Sequence, residues 1–273
     1  TVPVGLVNPR QVAAGGRHSC ALDDSGVVCW SSAGEVIDIG IELVNPRQIS
    51  AGIEHTCVID DLGVACWGIN GFGQTDVPAG LVNPRHVAAG GSHTCALDDH
   101  GVTCWGRDVE GQSTVPMDLV NPRLLVAGED HTCVIDDRGR VCWGQYLDER
   151  FAGSGPFPAR LEPLADPGLV NDLAAGSQYS CLIDALGAVA CDGRNDNGQA
   201  DSPVGLRNPV RVSAGRTHSC ALADSGVHCW GSDVSGESSV PLLSFASITD
   251  TDADGIYDAL DNCPTVEIGR AHV

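Results

Sequence analysis

His18-Ser19-Cys20-Ala21-Leu22-Asp23-Asp24-Ser25-Gly26-Val27-Val28-Cys29-Trp30 decides the fold, because the chain repeats this pattern six times. The leading cysteines Cys20, Cys57, Cys95, Cys133, Cys181 and Cys220 are spaced by 37, 38, 38, 48 and 39 residues. A period in this range marks a solenoid, a propeller or an array. Around the core sentence each unit adds the same flanks. In the third unit Asn83-Pro84 is a turn signal, Arg85 to Ala89 reads as a short strand, and Gly90-Gly91 ends it. The two strands of the core sentence then flank an Asp-Asp-x-Gly turn, a β-hairpin in which Gly supplies a positive φ. A polar, Gly-rich loop from Gly106 to Gln112 follows Trp105.

Cysteine spacing sets the hairpin register. If Leu22 faces Val27, then Cys20 lies opposite Cys29. Opposed residues at a non-hydrogen-bonded position are about 4.5 Å apart at Cα, near the lower end of the disulfide range. The same couple recurs as Cys57/Cys66, Cys95/Cys104, Cys133/Cys142, Cys181/Cys191 and Cys220/Cys229, while Cys263 stands alone. A bridge closing so short a loop contributes at most about 3 kcal/mol and serves to pin the strand register. Zinc is the competing chemistry, since His18 and Cys20 share a strand face with Cys29, but no fourth ligand recurs in register. Both hairpin faces are apolar, Leu22 and Val27 on one, Ala21, Val28 and Trp30 on the other. A sheet covered on both sides fits blades stacked face to face around an axis, each too small to be stable alone. The expected fold is all-β: a propeller of short antiparallel blades.

Composition narrows the partners. The 273 residues carry 15 basic groups, all arginine, against 36 acidic ones, a net charge of −21. Such a chain repels phosphate backbones and anionic membrane surfaces, so neither nucleic acid nor membrane is an expected partner. No apolar run is long enough to span a bilayer. Thirteen cysteines point to an oxidising compartment.

Ala51-Gly52, His55-Thr56, Gly63 and Trp67-Gly68-Ile69-Asn70-Gly71-Phe72-Gly73-Gln74 carry a further pattern. It resembles the repeat of the regulator-of-chromosome-condensation family, over about residues 1–248. The resemblance implies a seven-bladed β-propeller, of which six hairpin repeats are present here. The short unit is closer to that of secreted bacterial members, which include an inhibitor of β-lactamases. It also implies that the repeated histidines His18, His55, His93, His131 and His218 are structural groups beside the inner strands rather than bases or ligands. Adjacent aspartates such as Asp23-Asp24 read as caps on turn amides. The fifth unit departs from the pattern, with Tyr179 for His, Asp192 for Trp, a longer hairpin and an insertion between Tyr146 and Pro167.

Because the loops after each Trp-Gly differ between units, they are the expected binding surface, including Arg107, Asp108, Glu110, Arg194, Asn195 and Asp196. The expected partner is a protein or a surface glycan, met by a monomeric propeller without catalytic activity. Two alternatives remain open. One is a propeller lyase or hydrolase acting on polysaccharide or antibiotic, whose unrepeated candidates are Tyr146, Asp148, Glu149 and Arg150 in the insertion. The other is a secreted enzyme inhibitor.

Asp250-Thr251-Asp252-Ala253-Asp254-Gly255-Ile256-Tyr257-Asp258-Ala259-Leu260-Asp261 carries different chemistry. Its carboxylates fall at positions 1, 3, 5, 9 and 12 with Gly at 6, the spacing of a Ca²⁺ loop. The ligands would be Asp250, Asp252, Asp254, the Ile256 carbonyl, Asp258 and Asp261. With Asn262-Cys263-Pro264 following, the segment resembles a thrombospondin type 3 repeat, which implies that Cys263 pairs in a next repeat. The expected organisation is therefore a propeller at 1–248 and a partial calcium repeat at 249–266. Residues 1–10 match residues 75–85, so the chain is expected to begin partway through a preceding unit. Residues 267–273 resemble the translation of a sequencing adapter and are set aside from the fold. The expected location is secreted or at the cell surface.

Overall fold

The computed structural model describes residues 2–3, 5–31, 33–145, 159–160 (backbone only), 170–184, 186–234, 236 and 238–240. The chain divides into two compact units, Thr1–Ser238 and Ser239–Val273, and all described strands lie in the first. They form six small antiparallel sheets in chain order. Blade 1 holds β1 (Gln11–Ala14), β2 (His18–Asp23), β3 (Gly26–Ser31) and β4 (Val36–Ile37); blade 2 holds β5 (Gln48–Ala51), β6 (His55–Asp60) and β7 (Gly63–Gly68). Blade 3 is β8 (His86–Ala89), β9 (His93–Asp98) and β10 (Gly101–Gly106); blade 4 is β11 (Leu124–Ala127), β12 (His131–Asp136), β13 (Gly139–Gly144) and β14 (Ala159–Arg160). Blade 5 is β15 (Asp172–Ala175), β16 (Tyr179–Ile183) and β17 (Val189–Gly193); blade 6 is β18 (Arg211–Ala214), β19 (His218–Ala223) and β20 (Gly226–Gly231).

Leu22 pairs with Val27 and Cys20 with Cys29, as the spacing requires. Pairing runs one step further than the cysteines alone define, to Asp23 opposite Gly26, so only Asp24 and Ser25 remain in the turn. Gly26 has φ 122°, which a side chain would resist.

All six cysteine couples are disulfides: Cys20–Cys29, Cys57–Cys66, Cys95–Cys104, Cys133–Cys142, Cys181–Cys191 and Cys220–Cys229. Their Cα atoms are 4.0–4.1 Å apart, closer than the spacing of an ideal non-hydrogen-bonded pair suggests. With both sulfurs of every couple bonded, none is left as a thiolate for zinc, and the competing metal reading falls for these twelve cysteines. The second cysteines differ in a way the spacing did not foretell. Cys66, Cys104, Cys191 and Cys229 lie on the outermost strands of three-stranded blades and are only half-buried. Cys29 and Cys142 are buried, because a fourth strand pairs beyond them, with Ile37 opposite Cys29 and Ala159 opposite Cys142.

In blades 1 to 4 the first aspartate of the turn ties the hairpin to its own linker. Asp60 Oδ1 accepts the Leu62 amide at 2.8 Å and Oδ2 accepts the Val44 amide at 2.9 Å. Its neighbour Asp61 accepts from Asn45 Nδ2 at 2.7 Å, and Arg47 Nη2 donates to the Asp60 carbonyl at 2.9 Å. Asn45 itself sits at φ 50°, a left-handed conformation that Asn tolerates. The Val-Asn-Pro-Arg linker and the Asp-Asp turn are thus two halves of one bonded unit.

Blades pack face to face. The Cys/Leu face of one meets the inner strand of the next, as in the cluster of Cys20, Leu22, Cys29 and Ile49. Equivalent clusters join blades 2 and 3, 3 and 4, 4 and 5, and 5 and 6. The approach is close enough to demand glycine. A Cβ on Gly52 would stand 2.2 Å from the Gly90 carbonyl oxygen and 2.6 Å from His55 Cε1.

Candidate loop-face site

Three of the loops that follow the third strand of a blade are each held on the next blade by one carbonyl. Gln74 O accepts Trp105 Nε1 at 2.9 Å and Thr94 Oγ1 at 2.8 Å. Gln112 O takes Trp143 and Thr132, both at 3.0 Å, and Gln199 O takes Trp230 at 3.0 Å and Ser219 at 2.9 Å. The indole and hydroxyl of one blade therefore clamp the loop of the blade before it.

That clamp also fixes the histidines. Because the Thr94 hydroxyl gives its proton to Gln74 O, it must accept from His55 Nε2, 2.9 Å away. His93 Nε2 donates in the same way to Thr132 Oγ1 at 2.9 Å. Burial holds His55 neutral, its pKa lowered to about 4 with His18 adding to the effect. Burial likewise lowers His93 to about 3, helped by His131 and His55, and His131 to about 4. In blade 5 Tyr179 takes the place of this histidine. Its hydroxyl donates to the His218 carbonyl and lies 2.9 Å from Ser219 Oγ, and burial pushes its pKa up to about 12. These rings are structural fasteners between blades, as the resemblance implied.

The loops share an internal frame. Asn70 Oδ1 accepts the Thr75 amide at 2.9 Å, and Gln74 Oε1 accepts the Phe72 amide at 2.9 Å. Asp108 accepts the Ser113 amide at 2.8 Å and Thr114 Oγ1 at 2.7 Å; Asn195 accepts the Ala200 amide and donates to Asp201, both at 2.8 Å. Among the six expected surface residues, Asp108 and Asn195 are thus engaged in closing their own loops. Arg107 ion-pairs with Asp130 and lies 3.7 Å from Glu110, with its guanidinium 6.0 Å from the Phe72 ring centroid. Burial raises the Asp130 pKa, against which the Arg107 charge acts. Arg194 Nε lies 2.6 Å from Asp196 on the blade 5 loop. Between the framing positions the loop tips expose Phe72, Val109 and Val234, and Ile69 is exposed just ahead of Asn70. Those apolar tips are absent from the expected surface. Their signal is available in the sequence as the variable positions inside a recurring Asn/Asp-x-x-Gly-Gln/Glu frame.

Two coupled departures join blades 4 and 5. Arg140 occupies the position that is Val27, Val64 and Val102 in the first three blades, and it is buried. Its guanidinium ion-pairs with Asp192, which stands where other blades carry Trp, and donates to Ser180 Oγ at 3.2 Å. The sequence reading noted Asp192 alone; Arg140 is its partner.

On the hairpin-turn side, two open grooves of about 480 and 540 Å³ occupy the same repeat position, beside Asp98-Asp99 and Asp23-Asp24. Their carboxylates are those already spent on linker amides. Among the described residues no group of three or more His, Cys, Asp or Glu is placed to hold a metal. Asp250, Asp252, Asp254, Ile256, Asp258 and Asp261, with Cys263, lie outside the described residues. So do Tyr146, Asp148, Glu149 and Arg150 of the insertion.

Six sheets whose successive faces interlock, three of them clamping the preceding loop through a tryptophan, define an RCC1-like β-propeller module. More particularly, residues 10–34, 47–74, 85–112 and 210–237 match the regulator of chromosome condensation (RCC1) repeat. The four matches fall on blades 1, 2, 3 and 6, and leave out the two blades joined through Arg140 and Asp192. Among solved structures, yeast RCC1 (Prp20), determined bound to Kap60, superposes with TM-score 0.69 at 20% identity, over 82% of this chain and 70% of that one. Human WBSCR16 gives 0.67 at 19% identity, over 85% and 79%. The receptor kinase CR4 ectodomain from Physcomitrella patens gives 0.63 at 24% identity, over 83% of this chain and 64% of its own length. These likenesses establish the fold. A comparison with the curated proteins finds no match.

Proposed function

We propose that this chain is an extracellular binding module, with no reaction of its own, that meets a protein or surface glycan through its Trp-Gly loop face. The observation that carries the reading is the division of labour within each loop. The framing Asn or Asp and the Gln are used identically from blade to blade, while the tips between them vary and are exposed. A constant frame with variable tips is what recognition by loops on a rigid scaffold requires. Six disulfides belong in an oxidising environment, in keeping with secretion or display at a cell surface. The plant receptor kinase ectodomain among the fold neighbours adds weight to an extracellular setting.

Capture from surface-protein extracts on the immobilised chain, compared with a Phe72→Ala/Val109→Ala variant, tests the loop-face reading. Loss of the captured species from the variant supports it; identical capture by both rejects it. The segment 250–261 is proposed, on its spacing alone, as a Ca²⁺ loop of a stalk resembling a thrombospondin type 3 repeat. Isothermal titration of the full chain should show heat with Ca²⁺ that an Asp250→Asn/Asp254→Asn variant loses. No heat at millimolar Ca²⁺ rejects the site.

A further inference from the structure

We propose that Cys66, Cys104 and Cys191 are thiol-exchange sites, at which a low-molecular-weight thiol opens the disulfides of blades 2, 3 and 5 and stays bound to the outer sulfur. In each of these blades the two bridged cysteines have different surroundings. Cys57, Cys95 and Cys181 on the middle strands are 0% exposed, whereas Cys66, Cys104 and Cys191 on the last strands are half-buried. A thiolate joins one disulfide sulfur and expels the other, approaching in line with the bond that breaks. Each bridge links residues directly opposite on neighbouring strands. Its line, continued inward, runs into the inner strand, where Ser50, Ala88 and Ala174 pair with Cys57, Cys95 and Cys181. Continued outward, it leaves the sheet at an edge with no further strand among the described residues.

Blades 1 and 4 supply the contrast. There a fourth strand closes that edge, with Ile37 opposite Cys29 and Ala159 opposite Cys142. All four cysteines of these two bridges are 0–1% exposed. Five bridges of one register thus differ in whether the outer sulfur is covered. On blade 6 Cys220 is itself half-buried, so that bridge opens without preference for either sulfur.

The chemistry balances without a further reagent. In blade 2 the incoming sulfur bonds to Cys66 Sγ, the Cys57–Cys66 bond breaks, and its electron pair leaves on Cys57, which takes a proton from solvent. The released group lies among Ile59, Val87 and Ala89, surroundings that favour a neutral thiol. Thr94 Oγ1, 3.8 Å from Cys57 Sγ, already gives its proton to Gln74 O and so accepts the new S–H. Thr132 Oγ1, 3.5 Å from Cys95 Sγ and donating to Gln112 O, repeats the arrangement. Ser219 Oγ lies 3.6 Å from Cys181 Sγ. A disulfide sulfur has no proton to offer these oxygens; a released thiol has one. Held protonated, that thiol is a poor nucleophile, so the bridge recloses slowly and the adduct persists.

The test incubates the native full chain with reduced glutathione at several concentrations, quenches in acid, alkylates in denaturant with N-ethylmaleimide and maps every cysteine by mass spectrometry. The expected map has glutathione on Cys66, Cys104 and Cys191 and maleimide on Cys57, Cys95 and Cys181. Opening should be proportional to glutathione, and at least about tenfold slower at Cys20–Cys29 and Cys133–Cys142. Ile37→Pro, which denies β4 a ladder donor, should bring Cys29 to the rate of Cys66 with the circular dichroism unchanged. Equal rates at the five bridges, rates independent of glutathione, or glutathione on the inner cysteines overturns the proposal. So does an Ile37→Pro chain that keeps its fold while Cys29 stays closed. Where that variant loses its fold, the map of the parent chain decides alone.

Discussion

Gly52 and Gly71 lie in the same blade, yet only one has space around it. A Cβ on Gly52 would collide with the Gly90 carbonyl oxygen at 2.2 Å, whereas one on Gly71 meets nothing within 4 Å. The colliding atom is backbone of the next blade, so relief requires the seam to open. Gly52→Ala should lower stability by about 1–3 kcal/mol, the ordinary cost of overpacking. Gly71→Ala should be neutral or slightly stabilising through loss of unfolded-state entropy. Urea unfolding of the two variants side by side checks this, and equal effects would refute the seam argument. The Ala-Gly-x-x-His pattern was visible in the sequence, but its reason was not. The histidine ring packs against its own glycine while that glycine touches the following blade, a relation between residues roughly a repeat apart. Register within a hairpin, by contrast, was legible, because the Cys20 and Cys29 spacing and the Asp-Asp-x-Gly turn allow one pairing. How deeply Cys66 or Cys142 is enclosed was not, since that depends on whether a fourth strand arrives from the following loop.

At the scale of the element, the blade 4 to blade 5 seam shows how two departures from a repeat make one interaction. In blades 3, 4 and 6 the tryptophan N–H needs the glutamine carbonyl of the preceding loop. The sequence before blade 5 replaces that Gly-Gln loop with the insertion at 146–167, and position 192 carries no tryptophan. Aspartate stands there instead, and the valine opposite becomes Arg140 to neutralise it. Removing Asp192 leaves the Arg140 charge without its carboxylate in a buried place, which costs about 3–5 kcal/mol. Asp192→Ala should fall near that range, and Arg140→Val below it because Asp192 is partly exposed. The double variant should be clearly less damaging than their sum, with coupling of about 0.5–3 kcal/mol. Equilibrium denaturation of the four proteins measures it, and strict additivity would show that the pair does not act as a unit. A single sequence exposes Asp192 as odd because Trp is so regular. Arg140 hides, because an arginine in a strand reads as solvent-facing until the neighbouring blade is in place.

On the scale of the whole molecule, the seams make stability depend on pH in a direction that can be worked out. His55, His93 and His131 lie in consecutive blades and are held neutral by burial, with pKa values lowered to about 4, 3 and 4. In the unfolded chain each titrates near its ordinary value of about 6.5. Between those limits the unfolded state binds more protons, so stability rises with pH across the window and is lost on acidification from about 6.5 towards 4. Each histidine contributes a slope of at most about 1.4 kcal/mol per pH unit. Asp130 and Asp172 work the other way, since burial raises their pKa values and favours the protonated folded form as pH falls. Asp23 and Asp98, whose pKa values are lowered by their hydrogen bonds, act in the same direction as the histidines. Burial also lowers the pKa values of His18 and His86, so the expected outcome is a Tm that drops steadily between about pH 6.5 and 5, with unfolding coupled to the uptake of up to five protons. His93→Asn should remove close to one of these protons, even if it lowers stability at neutral pH. Calorimetry across that range reads both quantities. A Tm independent of pH over that window, or an unchanged proton count in the variant, would show that the histidine fasteners are hydrated and that the blades are held by their apolar faces and disulfides alone.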